Sequence, residues 1–249
     1  MTRPRLALLN ASYHDENTSR NFRRELDAEL AEFGVTDGEL PASFEYDGVV
    51  VTGSAASVYW DEAWIADLLD WVREAVDRGL PHLGVCYGHQ VLAEALGGTV
   101  EPMGEFEIGY HEVRRVGESR LLADVADPFV VFTTHGDEVT ELPPGARPIA
   151  ENDYSNHGFE LGRVMTVQFH PEYDLQTAEA IIDDKDLEPA NRRQALDSLT
   201  EANYAAACRA KRLFDNFTGF VREVRGAGDP SDVGAEHPDA GAAGETGSI

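Results

Sequence analysis

Leu83-Gly84-Val85-Cys86-Tyr87-Gly88-His89-Gln90 reads as a short strand running directly into a helix, with a cysteine at the junction and a glycine two residues to either side. A reversal that sharp needs small neighbours, because side chains at the flanking positions would collide with the adjoining strand and helix; this is the logic of a nucleophile elbow, with sulfur in place of oxygen. The thiol of Cys86 is then presented at a helix N-terminus, where amide N–H groups and the helix dipole favour the thiolate. A small packing cysteine is the competing reading. Glycine on both flanks and the strand ending one residue earlier argue against it.

Outward from this block the chain alternates. Leu6 to Leu9 and Gly48 to Thr52 are short apolar runs expected to be buried strands, and Leu83 to Val85 is a third. Between them the spacing predicts helices. Ser19 is the expected N-cap of the first, with Phe22, Leu26, Leu30 and Phe33 as its buried stripe and Gly34 as its end. Asp61 is expected to cap the second, which buries Ile65, Leu68, Leu69, Val72 and Val76 before Gly79, while His89 to Leu96 forms the third, closed by Gly97 and Gly98. Phe129 to Thr133, Pro148 to Ala150 and Val164 to Phe169 add strands, and Glu160 to Arg163 reads as a hairpin turn. Strands alternating with helices indicate an α/β fold, a mainly parallel sheet flanked by helices, with functional loops at the C-terminal ends of the strands.

Beyond Asp174 come a short helix, Ala178 to Ile182, a polar link, Asp183 to Glu188, and a long helical stretch, Pro189 to Val224. From Gly226 to Ile249 there is almost no large apolar residue, and the segment is expected to be a disordered acidic tail. The expected organisation is therefore a domain over 1–174, a helical extension over 175–225 packed on it, and a tail over 226–249.

The chain has 249 residues, with 46 Asp and Glu against 20 Lys and Arg, for a formal net charge of −26. Nucleic-acid binding by phosphate neutralisation needs the opposite balance. No apolar run approaches the roughly 18 residues that span a bilayer, and the start is too short in apolar residues for a signal peptide, so a cytoplasmic protein is expected. Two cysteines make no disulfide framework. Acidic residues spread through every segment and only two lysines resemble a halophilic surface, although an ordinary acidic protein would share the balance.

A thiolate that transfers acyl groups needs a base and an orienter. After Val164 to Phe169 comes His170-Pro171-Glu172, in which proline keeps the chain extended and the two-residue spacing puts His170 and Glu172 on one side. Together, Val51-Thr52-Gly53-Ser54, Gly84 to Gln90 and Gln168-Phe169-His170-Pro171-Glu172 resemble, in order and spacing, the class I (triad-type) glutamine amidotransferase domain with its flavodoxin-like architecture. The resemblance implies Cys86 as nucleophile, His170 as general base and acid, and Glu172 as its orienter. It further implies the N–H groups of Gly53 and Tyr87 as the oxyanion hole, and Gln90 at the α-substituents of glutamine. Thr134-His135-Gly136-Asp137 resembles the histidine-glycine-aspartate loop that lines the glutamine site in the GMP synthase type, placing His135, Gly136 and Asp137 at the substrate; an ordinary turn is the alternative. His14, His82, His111 and His157 read as loop or satisfied core histidines, and Cys208 as a packing residue. No metal-ligand spacing and no phosphate loop appears, so neither a metal nor a cofactor is expected.

The 75 residues after position 174 (249 less 174) are too few for an ATP-pyrophosphatase domain and carry no nucleotide motif. The expected activity is therefore glutamine hydrolysis, GMP-synthase-like, that supplies ammonia to an unidentified acceptor or a separate synthetase subunit. A stand-alone γ-glutamyl peptide hydrolase and a catalytically silent binding or regulatory module are the alternatives.

Overall fold

A computed structural model describes residues 2–13 and 15–227. One nine-stranded sheet carries the fold, in the order β2-β1-β3-β4-β9-β8-β7-β5-β6. β1 (Arg5–Asn10), β2 (Glu29–Gly34), β3 (Gly48–Val51), β4 (His82–Val85) and β9 (Val164–Val167) pair in parallel. From β9 outward the pairing is antiparallel through β8 (Asn156–Leu161), β7 (Arg147–Glu151), β5 (Thr99–Arg115) and β6 (Phe129–Glu141). The sheet is thus parallel where βαβ crossovers cover it and antiparallel where hairpins close it.

Side-chain alternation along β1 sorts the core. Leu6 and Leu8 pack with Phe22 and Leu26 near α1 (Glu16–Glu25) and with Leu213, Phe214, Phe217 and Val221 of α7 (Arg212–Ala227). Ala7 and Leu9 join Ile65, Leu68 and Val72 of α2 (Ala63–Asp77) and Val91 and Leu92 of α3 (Tyr87–Ala95). Full burial of a Phe or Leu side chain stabilises by roughly 1.5–3 kcal/mol, so α7 is a structural member of the core. A third cluster packs Ala178 and Ile182 of α4 (Leu175–Asp184) and Ala195 of α5 (Pro189–Ser198) on Ile108, Tyr110 and Phe132 of β5 and β6. α6 (Glu201–Ala207) completes that layer.

Several expected elements differ. The first helix is capped by Asp15, whose carboxylate accepts from the Asn17 amide, and not by Ser19; it stops at Glu25, and Leu30 and Phe33 belong to β2. Leu26 turns extended (φ −91, ψ 117), so the stripe of four-residue spacings spans a helix and a parallel strand. Glu62, not Asp61, precedes α2, and its side chain makes no capping bond. β5 and β8 extend the sheet beyond the expected strands, and the long C-terminal helix is broken at Leu199-Thr200 into α5 and α6, which a 3-10 turn (Cys208–Lys211) joins to α7. The Glu160 to Arg163 hairpin is present, with Gly162 at φ 59. Gly226 and Ala227, the first two residues of the expected tail, belong to the last turn of α7, and residues 228–249, like His14, lie outside the described residues. Among the described residues no helix is long and apolar enough to cross a membrane.

Candidate active site

Cys86 sits between β4 and α3 at φ 54, ψ −106, a backbone conformation that side-chain-bearing residues rarely adopt. The neighbouring glycines make it possible. A methyl on Gly84 would lie 2.4 Å from the Gly88 carbonyl oxygen, and one on Gly88 2.2 Å from that of Val51, so strand and helix touch backbone to backbone. The Cys86 amide donates to the Val167 carbonyl at 2.8 Å, which locks the junction to β9.

β9 delivers the histidine. Three residues after its end, the His170 amide donates to the Phe132 carbonyl at 2.8 Å, and its Nδ1 lies 2.8 Å from Glu172 Oε1. Tyr173 stacks on the imidazole, with ring centroids 4.2 Å apart and planes 20° apart. Arg24 of α1 donates to the Glu172 carbonyl and to the Asp174 carboxylate, tying down the segment's backbone. Burial alone would lower the pKa of His170, but the charges and hydrogen bonds of Cys86 and Glu172 outweigh it and raise it to about 10. The site therefore favours an imidazolium between Cys86 and Glu172. The Nδ1 proton belongs toward the carboxylate and Nε2 toward sulfur.

Gly53 closes the other side. A methyl there would stand 2.8 Å from His170 Cε1 and 3.7 Å from Cys86 Cβ, so any side chain would push the imidazole away. Tyr87, as the first residue of α3, offers an amide with no intrahelical acceptor. Gly53 and Tyr87 thus both adjoin Cys86.

A pocket of about 170 Å³ opens at Cys86, lined in part by Ser57, Gln90, His135, Gly136, Asp137 and Lys185. All the expected substrate residues meet there. Thr134 to Asp137 lie inside β6, however, and not in a loop after a strand. The β5/β6 ladder is irregular between Pro102 and Glu107, which opens room for the pocket beside this stretch. Gln90 Nε2 donates to the Asp137 carbonyl and to Gln168 Oε1, each at 3.1 Å. The Asp137 carboxylate accepts from Ser57 Oγ (2.6 Å) and Tyr59 Oη (2.9 Å). A second cavity, about 540 Å³, lies beyond Gly53 and Ser54, lined by Tyr13, Asn17, Glu172, Tyr173 and Lys185 among others.

The structure also assembles a cluster that the sequence did not point to. Ligand atoms of Glu107, His135 and His157 lie within 4.8 Å of one another in the interior, where no such cluster was expected from spacing. Burial opposes ionisation of Glu107, but hydrogen bonds and charge from His135 and His157 hold its carboxyl well below the usual range. His82 donates from Nδ1 to the Leu80 carbonyl, and burial lowers its pKa to about 4. Buried His89, bonded to Thr166 Oγ1, falls to about 3. Tyr173 and Arg24 were likewise missed, although Tyr173 adjoins the His-Pro-Glu block.

The family profile of glutamine amidotransferase class-I matches residues 13–187. Among curated proteins, the glutamine-hydrolysing GMP synthase of Aromatoleum aromaticum is 37% identical over 155 residues, which cover 58% of this chain and 29% of that protein. That of Ralstonia pickettii is 39% identical over 140 residues, 52% of this chain and 25% of that one. The chain thus matches less than a third of the length of these relatives. A solved glutamine amidotransferase from Methylobacillus flagellatus superposes with a TM-score of 0.74 at 20% identity, over 89% of this chain and 95% of that one. One from Thermotoga maritima gives 0.72 at 21%, over 88% and 99%. The profile match over more than half the sequence, on a fold shared with solved amidotransferases, establishes that this chain belongs to the class-I glutamine amidotransferase family.

Proposed function

We propose that the chain hydrolyses the side-chain amide of glutamine through a thioester on Cys86 and passes the ammonia to a separate synthetase partner. The observation that carries this reading is the strained Cys86 at the start of α3, facing a His170 that is raised to about 10 and bonded to Glu172. The Cys86 thiolate attacks the amide carbon. The oxyanion is stabilised by the Gly53 and Tyr87 N–H groups, each such donor commonly contributing about 3 kcal/mol. His170 gives its proton to the departing nitrogen, ammonia leaves, and the thioester remains. Water then enters, His170 takes its proton, and glutamate is released as the thiolate reforms. Glu172 keeps the imidazole in register throughout. Gln90, His135, Gly136 and Asp137 hold the glutamine.

Residues 1–174 form the catalytic domain in this reading, and 175–225 an extension that completes its core. The curated relatives are GMP synthases, which favours a nucleotide-forming synthetase as the partner. A second reading, hydrolysis of larger γ-glutamyl amides, is favoured by the cavity of about 540 Å³ beside Gly53 and Glu172, which has room for a leaving group bigger than ammonia.

Ammonia release from glutamine by the purified chain, with and without candidate synthetase subunits, tests the proposal, with Cys86→Ala as the control. Turnover that is lost in Cys86→Ala supports it; turnover that survives there refutes the nucleophile. Faster release from γ-glutamyl peptides than from glutamine would favour the second reading. A glutamine-analogue diazo ketone should label Cys86 and spare Cys208.

A further inference from the structure

α4 ends where the two cavities meet. Its start is pinned beside His170 and Glu172: Asp174 caps the helix by accepting from the Thr177 amide, and its carboxylate is held by Arg20 and Arg24. Ala178 and Ile182 are fully buried against β5 and β6, which fixes the helix along its length. At its end Lys185 turns extended (φ −81, ψ 135) and lines both the pocket at Cys86 and the cavity beside Gly53, which also share Ser54 and Ala55. Its ammonium stands 5.6 Å from the centroid of Phe106, within range of a cation–π contact. That ring presses on the pocket wall, since a methyl on Gly136 would lie 2.9 Å from Phe106 Cδ2. Among the described residues, Lys185 is the only Lys or Arg that lines either cavity.

The charge of Lys185 has no partner of its own. The other lysine, Lys211, bonds to Glu25 at 2.6 Å, whereas Lys185 pairs with no carboxylate among the described residues, in a chain of net charge −26. Several neutral donors of the pocket are already engaged. Gln90 Nε2 donates to the Asp137 carbonyl and to Gln168, and the hydroxyls of Ser57 and Tyr59 donate to the Asp137 carboxylate. A free amino acid whose side-chain amide sits at Cys86 brings an ammonium and a carboxylate into this pocket. Asp137 suits the ammonium. The carboxylate meets repulsion from Asp137 and, across the second cavity, from Asp15, Glu172 and Asp184, unless a cation faces it. We propose that Lys185 binds the α-carboxylate of the substrate and so restricts the site to glutamine and γ-glutamyl compounds whose α-carboxylate is free, excluding glutamine inside a polypeptide. This rests on the proposed glutamine site at Cys86. The helical extension thereby supplies a substrate contact that residues 1–174 lack.

Hydrolysis of L-glutamine and of its α-amide, in which a neutral carboxamide replaces the carboxylate, tests this. The wild-type protein should favour glutamine by about tenfold or more in kcat/KM, the scale of one hydrogen bond between charged groups. Lys185→Met should bring the two substrates within about twofold of each other, by raising KM for glutamine with kcat little changed, and Lys185→Arg should keep the preference. An unchanged preference in Lys185→Met overturns the inference. So does an equal loss on both substrates, which is what a merely structural role would give, and so does a wild-type protein that does not discriminate. Calorimetry separates this inference from the proposed function: L-glutamine should bind Cys86→Ala protein, and about tenfold more weakly when Lys185→Met is added. Equal binding by the two, or none by either, overturns the role of Lys185. Absence of ammonia release by the wild-type protein would count against the proposed function, while the binding difference would still decide what Lys185 faces.

Discussion

Replacing Cys86 by glycine should make the protein more stable than replacing it by alanine, although both variants lose the thiol. At φ 54, ψ −106 a residue with a Cβ is strained, a cost of order 1–3 kcal/mol. Glycine relieves it. Against this stands the greater freedom of glycine in the unfolded chain, about 0.4–1 kcal/mol relative to alanine. With central values of about 2 and about 0.7, the net advantage of Cys86→Gly is about 1 kcal/mol. For a chain of this size that is about 2–4 °C in thermal midpoint. Alanine is the proper comparison, because both variants also lose the charge interaction between Cys86 and His170. Chemical denaturation in molar potassium chloride, with both slopes checked for equality, gives the difference directly. An alanine variant as stable as the glycine variant, or more so, would refute the claim that the junction stores strain at Cys86.

His170→Ala should cut turnover more than Glu172→Gln, by about tenfold to hundredfold, because the latter leaves a base in place but poorly aligned; equal losses in single-turnover rates would give Glu172 another role. Stability should peak near pH 6.5. His170, raised to about 10, contributes stability that is present below 6.5 and lost as pH rises from there through about 10. His82 and His89, lowered to about 4 and about 3, are charged more readily in the unfolded chain, so stability falls as pH drops below 6.5. Midpoints from pH 4 to 10 check both limbs, and Cys86→Ala should flatten the alkaline one. With 46 acidic against 20 basic residues, the midpoint should also rise from low to molar potassium chloride; a flat response would remove the argument for a salt-adapted surface.

Local chemistry made the junction legible. Gly84, Cys86 and Gly88 sit within five residues of one another, and the contacts that demand glycine, to the Gly88 and Val51 carbonyls, belong to the turn and its neighbouring strand. His170-Pro171-Glu172 was readable for the same reason, since proline and a two-residue spacing place both side chains without help from the rest of the chain. The parallel strands were visible because strands buried on both faces are written as unbroken apolar runs, as in Val49-Val50-Val51. Other features had no local signal. Leu26, Leu30 and Phe33 fit one helical stripe by spacing, yet Leu30 and Phe33 pair with Leu6 and Leu9 of β1, a choice that only tertiary packing could make. β5 carries Glu101, Pro102, Gly104 and Glu105 in its sequence and is a strand because β6 and β7 supply its partners. Glu107 and His157 stand 50 residues apart, and a buried carboxylate shared by two histidines exists only once β5, β6 and β8 lie together, because desolvation makes such a group tolerable only where every donor is already in place.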